Sequence, residues 1–354
     1  MLNDPKTYKT YDPEDIAYGI EKLSEQIQVA WADTRAMKFP KAYSTVTNIV
    51  VAGMGGSSLG GHMIQTACAD RLKAPVHLLR DYNLPNWVSS KTLVIAVSYS
   101  GTTEEVLEVI THAKKAKAKI VAVAVGEKLK TYADKNKIPG YFFTPGELSK
   151  QPRLGLGFTL TGVLGMLERM NLIKINTKDI KGMCEAMGDV LDTCAVDVPA
   201  KENPAKTVAM ELKDRAVLIV ASEHLVGNAH ALANQINENA KQFATYMEIP
   251  ELNHHLMEGL GNPKDFFKKF SVLMLDSNHY HPHTHKRYDL TAQIFEKQGG
   301  VVIEYNANGK TRLEECGELL QFGGFVSYYL AMINKINPIE IPFVDWFKEQ
   351  MGKK

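Results

Sequence analysis

The sequence is poor in cysteine, has no membrane-length apolar run and carries almost no net charge. Its four cysteines (Cys68, Cys184, Cys194, Cys316) are scattered through 354 residues without a CxxC pair, so neither a disulfide framework nor a cysteine-built zinc site is suggested. With 41 basic against 40 acidic residues the net charge is +1, which gives no electrostatic case for nucleic acid or a membrane surface. The opening Met1-Leu2-Asn3-Asp4 is polar where a secretory leader would be basic and then apolar, and no apolar stretch approaches a bilayer span. A soluble cytoplasmic protein is expected. Hydrophobic residues make up 45% and charged residues 23%, the balance of a folded globular chain, and the length suits two ordinary domains.

Strand-like and helix-like segments alternate after an opening helical pattern (Ile16, Ile20, Leu23, Ile27, Trp31) that ends at Pro40. Near-continuous apolar runs at 45–52, 75–79, 92–97 and 119–125 read as strands, separated by helices. Runs of this kind, buried on both faces, are what a parallel sheet covered by helices requires. The pattern returns more loosely, with strands at 215–222, 270–276 and 300–305 and helices at 226–241 and 318–335. Between the two sets lies a helical region at 158–193 and a proline-bearing link from Val198 to Pro204. The expected organisation is a helical extension over 1–40, a first α/β domain over 41–197 and a second over 198–354.

Two turns carry chemistry. Gly53-Met54-Gly55-Gly56-Ser57-Ser58 leaves the first strand and opens a helix. It is not a dinucleotide fingerprint, because Ser58 stands where the third glycine belongs, and it is not a Walker loop, because His62-Met63 follows Gly61. Ser98-Tyr99-Ser100-Gly101-Thr102-Thr103 leaves the third strand and opens the next helix. Unpaired N–H groups and the positive end of a helix dipole favour an anion there, and hydroxyls add donors without charge. Ser57, Ser98, Ser100 and Thr103 are the expected phosphate ligands, with the backbone of Gly55 and Gly56 allowing close approach. The second half has no serine-rich turn of this kind, so one phosphate seat is expected.

Gly53-Met54-Gly55-Gly56-Ser57 followed by Ser98-Tyr99-Ser100-Gly101-Thr102-Thr103 resembles the sugar isomerase (SIS) domain. Asn237-Glu238-Asn239-Ala240-Lys241 and Pro250-Glu251-Leu252-Asn253-His254-His255 resemble the second-domain signature of the bifunctional phosphoglucose/phosphomannose isomerases. The resemblance implies two doubly wound, flavodoxin-like parallel-sheet domains with helical N- and C-terminal extensions. It also implies aldose–ketose isomerisation of a hexose 6-phosphate through a cis-enediol. Glu238 is then the base that carries a proton between C1 and C2. His254 opens the sugar ring from the neighbouring subunit of a homodimer with shared sites; imidazole suits this because it titrates near neutrality. His255 is the alternative in register. Arg153 matches the arginine that steadies the enediolate, and Lys348, in Asp345-Trp346-Phe347-Lys348, matches a C-terminal lysine at the ring-opening end. No cofactor is needed for this chemistry.

Dual-specificity members of that family carry a threonine near Asn337-Pro338. Here Ile339 or Ile341 stands in its place, which offers bulk without a hydrogen bond and puts mannose 6-phosphate in more doubt than glucose 6-phosphate. The histidines of Asn278-His279-Tyr280-His281-Pro282-His283-Thr284-His285 would share a face on a strand and could then hold a metal, but Pro282 argues against a strand and a polar loop is expected. The rival functions are a sugar-phosphate sensor that regulates a partner and an SIS isomerase for another phosphosugar.

Overall fold

A computed structural model describes residues 1–352. Five strands build the first sheet: β1 Asn48–Ala52, β2 Val76–Leu79, β3 Thr92–Val97, β4 Lys119–Ala124 and β5 Gly140–Phe142. All pairs are parallel, in the order β2-β1-β3-β4-β5. Four more build the second: β6 Ala216–Ser222, β7 Ala244–Ile249, β8 Phe270–Ser277 and β9 Val301–Ala307, again all parallel, in the order β7-β6-β8-β9. Both orders place a topological switch point between the first and third strands of the unit, where ligands of such sheets bind.

The apolar runs read from the sequence are the central strands. In β3 every residue is buried because helices cover both faces, and side-chain alternation sorts the faces. Leu93, Ile95 and Val97 join the core shared with the rest of the chain. Val94 and Ala96 pack instead with Val106, Val109, Ile110 and Leu129 of the helices Glu104–Lys115 and Glu127–Asn136. Strands β5 and β7 escape a reading by apolar runs. Each is an edge strand, β5 only three residues long and β7 mostly half-exposed.

Two further helical segments refine the expectation. The helical region at 158–193 is a pair of helices, Leu156–Arg169 and Thr177–Cys194, the second started by Asn176, whose side chain accepts from the N–H groups of Lys178 and Asp179. The helix beginning at Val226 ends at Gln235, and residues Ile236–Ala240 form one wider π turn. Asn237 accounts for the widening: its Nδ2 donates to the Ala233 carbonyl at 2.8 Å and to the Ala244 carbonyl at 2.7 Å. The side chain thereby takes the carbonyl that a regular helical bond would use and anchors the turn to β7.

Helix Arg312–Ile333 is buried all round, and from Leu313 to Met332 only Glu314 is not buried, as befits a helix at the centre of a core. It packs against Thr177–Cys194, Pro204–Leu212 and Val226–Gln235. The helix that opens from the first glycine turn, Gly56–Ala67, packs against Val226–Gln235. A Cβ on Gly227 would stand 2.7 Å from the Met63 backbone, so only glycine permits this approach. That contact joins the two sheet units and brings the glycine turn of one toward the π turn of the other. Among the described residues no helix is long and apolar enough to cross a membrane.

Candidate active site

The two turns of the first sheet meet at its switch point. The Tyr99 N–H donates to Ser57 Oγ at 2.9 Å, linking the second turn to the first. Ser98 Oγ accepts from the Gly101 N–H at 3.0 Å and lies 2.8 Å from Thr103 Oγ1. Ser100 Oγ lies 2.9 Å from Thr102 Oγ1. Gly101 has a φ of 77°, and a side chain there would collide with the Gly126 carbonyl oxygen, so the sharp turn requires glycine. Ser57 and Ser98 are buried, Thr103 is half-buried and Ser100 is exposed. The expected phosphate ligands therefore form two tiers, a buried pair that shapes the turns and a more accessible outer pair.

Glu238 lies on the π turn, and both neighbouring asparagines are held. Asn237 is bonded to β7 as described, and Asn239 Nδ2 donates to Ser327 Oγ at 3.0 Å. Arg153, buried on the short turn Pro152–Leu154, donates from Nε to Asn239 Oδ1 at 2.8 Å. From Nη2 it donates to the carbonyls of Pro338 at 2.6 Å and Ile339 at 2.9 Å. Its remaining nitrogen, Nη1, stands 3.6 Å from Glu238 Oε2. A Cβ on Gly56 would stand 3.5 Å from the Arg153 backbone, so the first anion turn rests directly against the residue that faces Glu238. The sequence could not reveal this convergence, because the parts come from both sheet units.

Burial raises the pKa of the Glu238 carboxyl above its ordinary value, and the charges of Arg153, Lys348 and Lys241 oppose that rise. Burial likewise lowers the Arg153 pKa, against the pull of Glu238 and Asp345. A carboxylate moved toward neutrality yet held ionised by a fixed guanidinium suits a proton carrier.

Lys348 is exposed on the helix Pro342–Gly352, with its charge felt at Glu238. His254 is exposed at the end of the turn Glu251–His254, which follows β7. Among the described residues its side chain has no hydrogen bond or ion pair, and no contact joins it to the Arg153–Glu238 cluster of its own chain. His255 Nε2 lies 4.0 Å from Glu251 Oε1. The polar loop expected at 279–285 gives way to a helix from Pro282 onward, and the rings of His281 and His283 stack with their centres 5.2 Å apart. No group of three or more metal-ligating side chains suited to an ion occurs among the described residues. The asparagines on either side of Glu238 were legible in the quoted signature as groups that could orient it, whereas Lys241 was missed as a part of the cluster; its bonds are to backbone carbonyls.

The second switch point is built differently. Glu223, after β6, accepts at Oε1 from the His281 N–H at 2.8 Å and the Thr284 hydroxyl at 3.0 Å. A carboxylate of the chain thus occupies the N-terminus of the helix Pro282–Lys297. Behind it, buried Glu315 Oε2 lies 2.5 Å from His224 Nε2 and accepts from Ser277 Oγ at 2.6 Å.

Residues 201–351 match the family described as the bacterial phospho-glucose isomerase C-terminal SIS domain. The bifunctional phosphoglucose/phosphomannose isomerase of Caldicellulosiruptor bescii is 31% identical over 338 residues, covering 94% of this chain and 98% of that protein. The chain belongs to this family. The Aquifex aeolicus protein of the same name is 27% identical, over 92% of this chain and 95% of its own. Among solved structures, a hypothetical protein from Thermus thermophilus superposes with a TM-score of 0.74 at 16% identity, over 98% of this chain and 92% of that one. That likeness is one of fold and spans nearly the whole chain.

Proposed function

We propose that the chain is an aldose–ketose isomerase that interconverts glucose 6-phosphate and fructose 6-phosphate, and accepts mannose 6-phosphate as a further substrate. The observation that carries this reading is the Glu238 carboxylate 3.6 Å from the buried Arg153 guanidinium, beside two anion-binding turns. The phosphate is held by Ser57, Ser98, Ser100 and Thr103 with the backbone of Gly55 and Gly56. Glu238 takes the proton from C2 of the open aldose, leaving a cis-enediol, and returns it to C1 to give the ketose. Arg153 stabilises the negative oxygen that develops between the two steps. The mannose reading draws on the names of the relatives; Ile339 and Ile341 bear on its efficiency.

Ring opening precedes this step, and we assign it to His254 of the partner subunit, assisted by Lys348, in a homodimer with shared sites. The separation of His254 from Glu238 within one chain supports this assignment. So do two uncovered apolar surfaces. One is the helix Pro342–Gly352, with Phe343, Trp346, Phe347 and Met351 all exposed. The other is a cavity of about 920 Å³ beneath Leu256 and Leu260, lined by Phe243, Phe266 and Phe270.

The test is conversion of fructose 6-phosphate by the purified chain, with Glu238→Gln in parallel and glucose and mannose 6-phosphates resolved. Turnover that disappears in the variant supports the isomerase. Binding of fructose 6-phosphate without turnover in the wild type would replace it with a sugar-phosphate sensor.

A further inference from the structure

We propose that Lys241 is a positioning residue: its ammonium ties the turn that carries Glu238 to the C-terminal strap, and its charge gives that link its strength. The proposal rests on the isomerase reading above for its kinetic consequence.

Lys241 is the first residue after the π turn, and its φ of 50° lies in the left-handed region, uncommon for a residue with a side chain. That conformation accompanies a side chain folded back over the turn. Although the residue as a whole is exposed, its Nζ sits among four carbonyl oxygens. It donates to Glu238 O at 2.9 Å and Asn337 O at 3.0 Å, with Pro338 O at 3.3 Å and Asn239 O at 3.4 Å. Two of these oxygens belong to the π turn and two to the strap at 337–338, which leads to the helix bearing Lys348. An ammonium has three donors, enough to bond both pieces at once. Arg153 donates to the same Pro338 carbonyl, from Nη2 at 2.6 Å. Two cations thus converge on one carbonyl, and the turn holding Glu238 is fixed between them.

The charged groups acting on Lys241 are Arg153, which repels it, and Glu340 and Glu238, which attract it. Burial and Arg153 outweigh the two carboxylates and bring its pKa down to about 8. A neutral amine keeps two N–H donors and loses the charge that makes such bonds strong. The link is therefore intact below this pH and weakens as pH rises through it.

The test measures kcat and KM for fructose 6-phosphate from about pH 6 to 10, across that titration, with full-length wild type, Lys241→Arg and Lys241→Met. Wild-type kcat should fall above about pH 8, and K241R, whose guanidinium stays charged, should keep its activity through that range. K241M should lose about tenfold or more in kcat at neutral pH, the order expected for a displaced catalytic group. Its KM should change little, because the phosphate turns are untouched. Melting curves report whether K241M is folded; if it is not, the comparison of wild type with K241R decides. An alkaline fall that persists unchanged in K241R, or wild-type kcat in folded K241M, overturns the proposal. A wild type without turnover overturns the isomerase reading alone. The link is then read by amide hydrogen exchange over 236–241, which should be faster in K241M than in wild type at neutral pH; equal rates overturn the link as well.

Discussion

The Tyr99 N–H donates to the Ser57 hydroxyl across 2.9 Å, and this bond joins the two anion-binding turns. Ser57→Ala removes a proposed phosphate ligand and leaves the buried Tyr99 N–H without its partner. Loss of a hydrogen bond with an orphaned buried donor costs about 1–3 kcal/mol. The expected outcome is a rise in KM for fructose 6-phosphate of about tenfold, with a lowered melting temperature. A lower melting temperature with unchanged KM would show that Ser57 only braces the turns.

Activity should fall on acidification through a Glu238 pKa that burial has raised. On the proposed mechanism Glu238 works ionised, so activity should be present above that pKa and lost below it. Lys348 lowers the same pKa by its charge; removing the charge raises it. Lys348→Met should therefore move the acid limb of kcat/KM to higher pH by a few tenths of a unit, a small shift because the lysine is exposed and screened. An unmoved limb would separate Lys348 from the base.

Subunit mixing tests the shared site. Glu238→Gln and His254→Asn should each be inactive alone, with losses of about a hundredfold or more for a general acid–base group. Mixed and allowed to exchange, they should regain activity, because one site of each hybrid then combines an intact Glu238 with an intact His254 of the partner subunit. If both groups acted within one chain, both sites of the hybrid would be dead. Absence of recovery in hybrids verified by mass removes the shared-site reading.

Gly227→Ala addresses the contact between the two sheet units. The added carbon would meet the Met63 backbone at 2.7 Å, and overpacking of this kind costs about 1–3 kcal/mol. Denaturant unfolding should register that loss. Activity should fall as well, because the same helices carry the glycine turn and lead to Glu238. Unaltered stability would mean the helices part without penalty.

Much of the fold was legible because the central strands are buried on both faces and so read as unbroken apolar runs. The edges were less so: β7 is half-exposed along much of its length, and its Ala-Thr-Tyr-Met-Glu-Ile shows no such run. The phosphate turns announced themselves through glycines and hydroxyls next to strand ends. Glu238 and Arg153 could be named only by resemblance, since nothing in the local pattern says that they meet. The π turn depends on Asn237 capturing the Ala233 carbonyl, a bond that helical periodicity does not register. Lys241 was hidden for a related reason, as its partners are carbonyl oxygens that every residue possesses.

Glu223 bears on how many sugar phosphates one chain can hold. Its carboxylate is bonded to the His281 N–H and the Thr284 hydroxyl and stands 3.6 Å from Arg312 Nη2, so the donors at this second switch point are already engaged by the chain itself. An incoming phosphate there would have to displace that carboxylate from the N-terminus of the helix Pro282–Lys297. On the isomerase reading proposed above, binding should therefore saturate at one phosphate for each chain, with no second seat in the twin domain.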